Sequence, residues 1–214
     1  MKSKDPNEKF IVFSGLNKAQ YDLVQAARRI FLRHGYGATT MASIAKEAGI
    51  SKQLARYYYK DPAELLHLWM KAWGESGQMV TLKTLATHHS KSGHDKILLM
   101  NKAIHDWIDQ FPSVSKLTLL MLDSAQYNKE THTLLVQILN EGMKRILDFL
   151  LLDTPKIPIK ALQSRARGLH FIMIGGALHR LALGGEKTES LQNSEWALKE
   201  LLTQILGKTR SESI

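Results

Sequence analysis

Thr39–Lys60 reads TTMASIAKEAGISKQLARYYYK. Thr39 or Thr40 can cap a short helix over Met41–Ala48 by accepting a hydrogen bond from its free backbone N–H groups. Ile44, Ala45 and Ala48 fall on one face, and Ala45 is small enough to let a second helix approach closely. Gly49 supplies the turn, Ile50 fills the corner, and Ser51 caps a further helix. On that helix Ala55 and Tyr59 share the packed side. Lys52, Gln53, Leu54, Arg56, Tyr57 and Lys60 are left to point outward. The stretch predicts two short helices joined by a tight turn, with basic and aromatic side chains crowded on the second. This is the sequence form of a helix-turn-helix.

A helix fits the major groove of duplex DNA, where its N-terminal residues meet base edges. Gln53 is suited to adenine, Lys52 to guanine or a phosphate, and Leu54 to a thymine methyl. Arg56 and Tyr57 or Tyr58 suit phosphate oxygens, which fix register without reading sequence. Thr40, Ser51 and Lys60 complete the expected DNA-binding set. A helical hairpin with an incidentally basic surface is the alternative. The two caps, the Ala45-x-x-x-Gly49 spacing and the local charge argue against it.

Charge is distributed as this reading requires. Of a net charge of +9, residues 1–60 carry 11 Lys/Arg against 4 Asp/Glu, whereas residues 61–214 carry 18 against 16. A polyanion-binding face concentrates its excess in this way. Lys18–His34 precedes the motif as a helix with Leu23, Val24, Ala27, Ile30 and Phe31 on one stripe, Arg28, Arg29 and Arg33 largely off it, and Gly35 as its stop. The first 17 residues, lysine-rich and interrupted by Pro6 and Gly15, read as a basic arm. Such arms can enter a minor groove, although a terminus without a role is the commoner case.

From Ala26 to Leu66 the chain, AARRIFLRHGYGATTMASIAKEAGISKQLARYYYKDPAELL, resembles the TetR family of bacterial transcriptional regulators. The resemblance rests on Phe31-x-x-x-Gly35-Tyr36, the paired threonines, Ile44-Ala45, Ala48-Gly-Ile-Ser51 and the tyrosine-rich third helix. It implies an all-α protein with a DNA-binding domain over 1–60 and a regulatory and dimerisation domain over 61–214, about nine helices in all. Residues 61–74 would form the linking helix. Arg56 stands where the family usually has tyrosine, Leu54 replaces a small or hydroxylated residue, Ala55 a larger aliphatic, and Pro62 a common lysine. A known operator sequence therefore does not transfer.

Beyond the motif, Asp61, Pro62 and Glu64 form a helix start, followed by the stripe Leu65, Leu68, Trp69, Ala72 and Trp73. Helices are predicted over Asp95–Phe111, Val114–Tyr127, Glu130–Leu152 and Lys160–Leu183, with a last one capped by Asn193 or Ser194 and ending at Gly207. Lys160–Leu183 becomes apolar nearly all round from Leu169 to Leu178, so it must be buried on every side. The resemblance implies that the last two helices pair with their copies in a homodimer. Phe171, Ile172, Gly175, Gly176, Leu198, Leu201, Leu202 and Ile205 are the expected interface; a wholly intramolecular core is the alternative.

The chain has no cysteine, which excludes disulfides and thiolate chemistry and agrees with a cytoplasmic location. There is no secretory signal and no run suited to a membrane span. No phosphate loop, G-x-S-x-G or H-E-x-x-H motif occurs. His105 and Asp109 at i, i+4 could share a metal, and His88, His89 and His94 flank a loop, but neither set has a second ligand pair. No catalytic residue, metal or cofactor is therefore expected. Met70, Met100, Trp107, Met121, Met143 and Met173 could line an adaptable pocket for a small-molecule effector, or simply pack the core. Asp106, His105, Gln137 and Arg180 are candidates for its polar contacts. The expected function is a ligand-released repressor on a pseudo-palindromic double-stranded operator. Its rivals are a DNA-binding protein whose second domain holds a protein partner, and, more remotely, a metal-dependent enzyme.

Overall fold

The computed structural model describes Phe13, residues 15–184 and residues 186–211, with side chains to Ile205. The arm expected over the first 17 residues lies mostly outside the described residues, as does the side chain of Leu206. The fold is all-α. In chain order the helices are α1 Lys18–His34, α2 Met41–Ala48, α3 Lys52–Tyr58, α4 Pro62–His88, α5 Gly93–Gln110, α6 Pro112–Ser115, α7 Leu117–Ser124, α8 Lys129–Asp153, α9 Ile159–Leu183 and α10 Lys187–Ser211. They form two compact units. One takes the chain up to Ser76 together with Gln110–Val136; the other takes Gly77–Asp109 and the chain from Gln137 onward.

In the first unit, the apolar stripe of α1 is buried as its spacing requires: Leu23, Val24, Ala27, Ile30 and Phe31 all lie in the core. Arg28 departs from expectation, because it too is buried and sets its guanidinium 4.9 Å from the centroid of the Trp69 ring. A cation over an aromatic face keeps favourable electrostatics where water is excluded. Trp69 is itself fully buried, donates its indole N–H to the carbonyl of Val24 at 2.8 Å, and meets Phe13 edge-on at 4.9 Å. One turn on, Trp73 donates to the Thr118 hydroxyl at 2.8 Å, and His67 lies 3.0 Å from the Thr131 hydroxyl. The first half of α4 is thus tied to α1, α7 and α8.

Three expectations about helix limits need correction. The linking helix does not end near residue 74 but continues to His88; Gly74 and Gly77 lower helix propensity without breaking it. The helix expected over Val114–Tyr127 is divided into the single turn α6 and the two-turn α7, meeting at Lys116. The last helix begins at Lys187, after Gly184 closes α9 with φ of +68°. Ser194 is therefore no cap. It lies inside α10 and turns its hydroxyl back on the carbonyls of Ser190 and Leu191 at 3.0 and 3.1 Å, as a mid-helix serine does when no free N–H groups are present.

The core of the second unit is built from α5, α8, α9 and α10, with Ile97, Met100, Ile146, Leu150, Leu162, Leu169 and Met173 among its buried members. Leu198, Leu202 and Ile205 also belong to it. These three, expected at an interface with a second copy, are buried within their own protomer, because α10 packs against α9 of its own chain. Asp153 ends α8 by accepting the backbone N–H groups of Gly93 and His94 at 2.9 and 2.7 Å, so one helix end caps the start of another. Gly93 makes this approach possible, since a Cβ there would sit 1.8 Å from the carbonyl oxygen of Phe149. Gly93→Ala should cost about 1–3 kcal/mol through forced displacement of α5 or α8, measured as a lowered urea midpoint at unchanged slope.

Candidate functional site

The helix-turn-helix assembles from local rules. Thr40, not Thr39, is the cap of α2: its Oγ1 accepts from the N–H of Ser43 at 3.1 Å, and Ser43 Oγ lies 3.1 Å from the N–H of Thr40 in return. Thr39 instead donates its hydroxyl to the carbonyl of Gly35 at 2.7 Å, closing the bend after α1. Gly49 adopts φ of +71° and ψ of +26°, the left-handed conformation that spares a Cβ clash. Ser51 Oγ then accepts from the N–H of Leu54 at 3.1 Å and starts α3. Ile44 and Ala45 are buried beneath the turn.

On α3 the division between packed and free sides is sharp. Ala55 and Tyr59 are buried, whereas Ser51, Lys52, Gln53, Arg56 and Lys60 are exposed. Leu54 is 38% exposed and Tyr57 80% exposed, with the Tyr57 ring edge-on to Tyr58 at 5.2 Å. Tyr58 is half-buried, so Tyr57 is the freer of the two for a phosphate. Thr40 is exposed at the start of α2. An exposed leucine and tyrosine beside two cations gain nothing from water, yet they match a groove that offers methyl groups, phosphates and base edges.

Not every basic residue near the motif is available. Arg29 Nε lies 2.6 Å from Glu47 Oε1, and Arg33 Nη1 lies 3.3 Å from Glu47 Oε2, pinning α1 to α2. The hydrogen bond from Arg29, aided by Arg33, holds the Glu47 carboxyl below the usual carboxylate range. Lys52, Arg56 and Lys60 stay exposed on or beside α3, as Lys46 does on α2.

Residues 23–68 match the sequence model described as bacterial regulatory proteins, tetR family. That stretch is similar to the helix-turn-helix part of the family. No curated protein matches the chain. Among solved structures, a TetR-family transcriptional regulator from Streptomyces coelicolor superposes with a TM-score of 0.72 at 12% identity, covering 89% of this chain and 91% of the other. A TetR transcription regulator from Haloarcula marismortui gives 0.65 at 19% identity, over 86% and 95%. The multidrug binding protein EbrR, solved with imidazole, gives 0.65 at 15% identity, over 87% and 95%. At such identities the likeness concerns the fold alone, all-α with an N-terminal helix-turn-helix.

The residues singled out for an effector fall into two groups. Met70 and Met121 are buried in the first unit; Met100, Trp107 and Met173 are buried in the second, where Met143 packs half-buried on the same core as Met100 and Met173. Of the polar candidates, Gln137 only reaches Glu141 on its own helix. Asp106, His105 and Arg180 come together. Arg180 donates to the carbonyl of His105 at 2.9 Å and to the Asp109 carboxylate, and Lys187 lies 2.7 Å from Asp106 and 2.9 Å from Asp109. Asp109 thus serves Arg180 and Lys187, and His105 turns inward to within 3.4 Å of Ser194 Oγ. The pair does not converge on a common point as metal ligands would, and no group of three metal-ligating side chains occurs among the described residues.

Two pH dependences follow. Glu47 is lowered, so its ion pairs stabilise the fold above the usual glutamate value of 4.5 and that contribution disappears as pH falls through the lowered value. Glu47→Gln should flatten this acid limb in urea unfolding followed against pH. His105 is lowered from 6.5 to about 4, first by burial and then by Arg180 and Lys187. The unfolded chain therefore takes up a proton that the native chain refuses, and stability declines as pH falls from 6.5 toward 4. His105→Gln should remove that part of the slope.

Proposed function

We propose that the protein is a transcriptional repressor that binds a pseudo-palindromic operator as a homodimer and leaves it when a small molecule binds the regulatory part of the chain. The observation that carries the DNA reading is the exposed row Lys52, Gln53, Leu54, Arg56 and Tyr57 on α3, opposite the buried Ala55 and Tyr59. Each protomer places Ser51–Tyr58 in a major groove, with half-sites about 34–36 Å apart or a multiple of that. Thr40, Tyr58 and Lys60 approach the backbone. The protein works in the cytoplasm, where its operator is; no described helix is long and apolar enough to cross a membrane.

Dimerisation is supported by apolar surface on the last two helices. Phe171 is 67% exposed and Trp196 68% exposed, with Leu183 also bare. Gly175 is exposed, and Ile172, Gly176 and Leu201 are half-buried. Large apolar side chains gathered on two helices favour a second copy over water, and the glycines let helices approach closely. A homodimer through Phe171, Ile172, Gly175, Gly176 and Leu201, extended to Trp196, is the reading we adopt. Phe171→Glu should shift the dimer to monomer in sedimentation velocity, whereas Leu198→Ala should lower stability instead.

For release, α4 supplies the physical link, since its first half belongs to the first unit and its second half to the other. An effector shifts the equilibrium only by its differential affinity for two states, typically a coupling of about 1–3 kcal/mol. The likeness to EbrR, solved with imidazole, supports a small-molecule effector, and the second-unit residues Met100, Trp107, Met143 and Met173 are its proposed apolar surroundings. Selecting genomic fragments on the immobilised protein, then footprinting them, tests the whole reading. Arg56→Ala should weaken all duplexes alike and reduce the salt slope by about 1, while Gln53→Ala should relax preference at one base position. Unaltered affinity in a Lys52→Ala/Arg56→Ala double variant would remove this docking.

A further inference from the structure

On α5 the buried stripe runs Ile97, Met100, Asn101, His105 and Ile108. Two of these are polar, stand at i and i+4 on one face, and are wholly inaccessible to solvent. Asn101 Nδ2 donates to Ser194 Oγ at 2.9 Å, and His105 Nε2 lies 3.4 Å from the same oxygen. The Ser194 hydroxyl spends its single proton on the helical carbonyls behind it. What faces Asn101 and His105 on that assignment is a pair of lone pairs, and the matching tautomer of His105 carries its proton on Nε2. Asn101 Oδ1 and His105 Nδ1 remain as buried acceptors without partners. Unpaired buried acceptors are costly, and a native core retains few of them without a reason.

We propose that Asn101 Oδ1 and His105 Nδ1 form the hydrogen-bonding head of an effector site in the second unit, selective for an uncharged molecule with an apolar body and an O–H or N–H donor. This rests on the small-molecule reading given above and assigns its chemistry. Met100 and Met173 lie in the adjoining apolar core and supply adaptable walls. A carboxylate is disfavoured because the two unpartnered atoms it would meet are acceptors, one Asn101 N–H and the His105 Nε2–H being turned to Ser194. A cation is disfavoured because Arg180 and Lys187 stand beside Asp106 and Asp109 at the rim. Gly176 keeps the head compact, since a Cβ there would come within 3.0 Å of Ser194 Cβ. A bound molecule must move α9 or α10 to reach the acceptors, which gives it the differential contact that release requires.

Benzyl alcohol and benzoate share one body and differ in the head, so they make the probes. In the full-length protein labelled with ¹⁵N-histidine, His105 should carry its proton on Nε2. Benzyl alcohol should shift the Nδ1 resonance and bind roughly tenfold or more tighter than benzoate. Asn101→Leu should abolish the alcohol response. If that variant fails to fold, Ser194→Ala serves, because it frees two donors and should raise benzoate affinity toward that of the alcohol. A proton on Nδ1, equal binding of the two probes, or an Nδ1 signal indifferent to the alcohol would each overturn the assignment. The selected genomic fragments separate the two readings. Fragment binding with no alcohol response removes this site and leaves the DNA reading intact; alcohol binding at His105 with no fragment retained does the reverse.

Discussion

The indole of Trp69 holds the helix-turn-helix part of this molecule to the helix that leaves it. Its N–H reaches a carbonyl inside α1 at 2.8 Å, while Arg28 covers its face and Phe13 meets its edge. A buried tryptophan contributes a large apolar area, and its one polar atom must find a partner when water is excluded. That requirement fixes the rotation and height of α4 against α1 more narrowly than apolar contact alone would. The position of α3 follows, because α2 is pinned to α1 through Glu47 and α3 is set on α2 by the left-handed Gly49.

The second unit is organised on another principle. Its apolar core tolerates methionines and is closed by helix ends that cap one another, as Asp153 caps α5. Into it is set a polar strip, Asn101, His105 and Ser194, bordered by the ion pairs of Asp106 and Asp109. Burial pushes both aspartates up, but hydrogen bonds from Lys102 and Lys187 to Asp106, and from Lys187 and Arg180 to Asp109, outweigh it and keep both ionised. A uniformly apolar core would be indifferent to what binds beside it. A core with unspent acceptors is not, because a donor placed against them removes the cost of leaving them unpaired.

The helix-turn-helix was almost wholly legible from Thr39–Lys60. Its caps and its turn depend on neighbours no more than five positions away, and its packed side follows from helical period, so the pattern of residue types suffices. Only the choice between Thr39 and Thr40 needed coordinates, because Thr39 is drawn to the carbonyl of Gly35. Arg28 was misjudged for a different reason. Off-stripe arginine normally lies in water, and nothing in α1 announces that Trp69, 41 residues later, will cover it. Asn101 and His105 left a trace, two polar residues inside an apolar i, i+4 stripe, but His105 drew notice for Asp109 beside it and not for the buried face they share. Ser194 looked like a helix start because capping residues and mid-helix residues that bond backward are of the same type.

The sequence by itself determined the all-helical class, the helix-turn-helix and the side of its second helix that is free, since periodicity and capping act over a few residues. Tertiary structure decided which apolar stripes are spent inside the protomer. Leu198, Leu202 and Ile205 read equally well as an interface or as a core, and only the packing of α10 on α9 assigned them inward, leaving Phe171 and Trp196 bare. It also decided that α4 is one continuous helix and that Ser194 meets Asn101 and His105 in a buried place. Burial is a property of the whole chain, and no local pattern records which of two apolar faces will find its partner first.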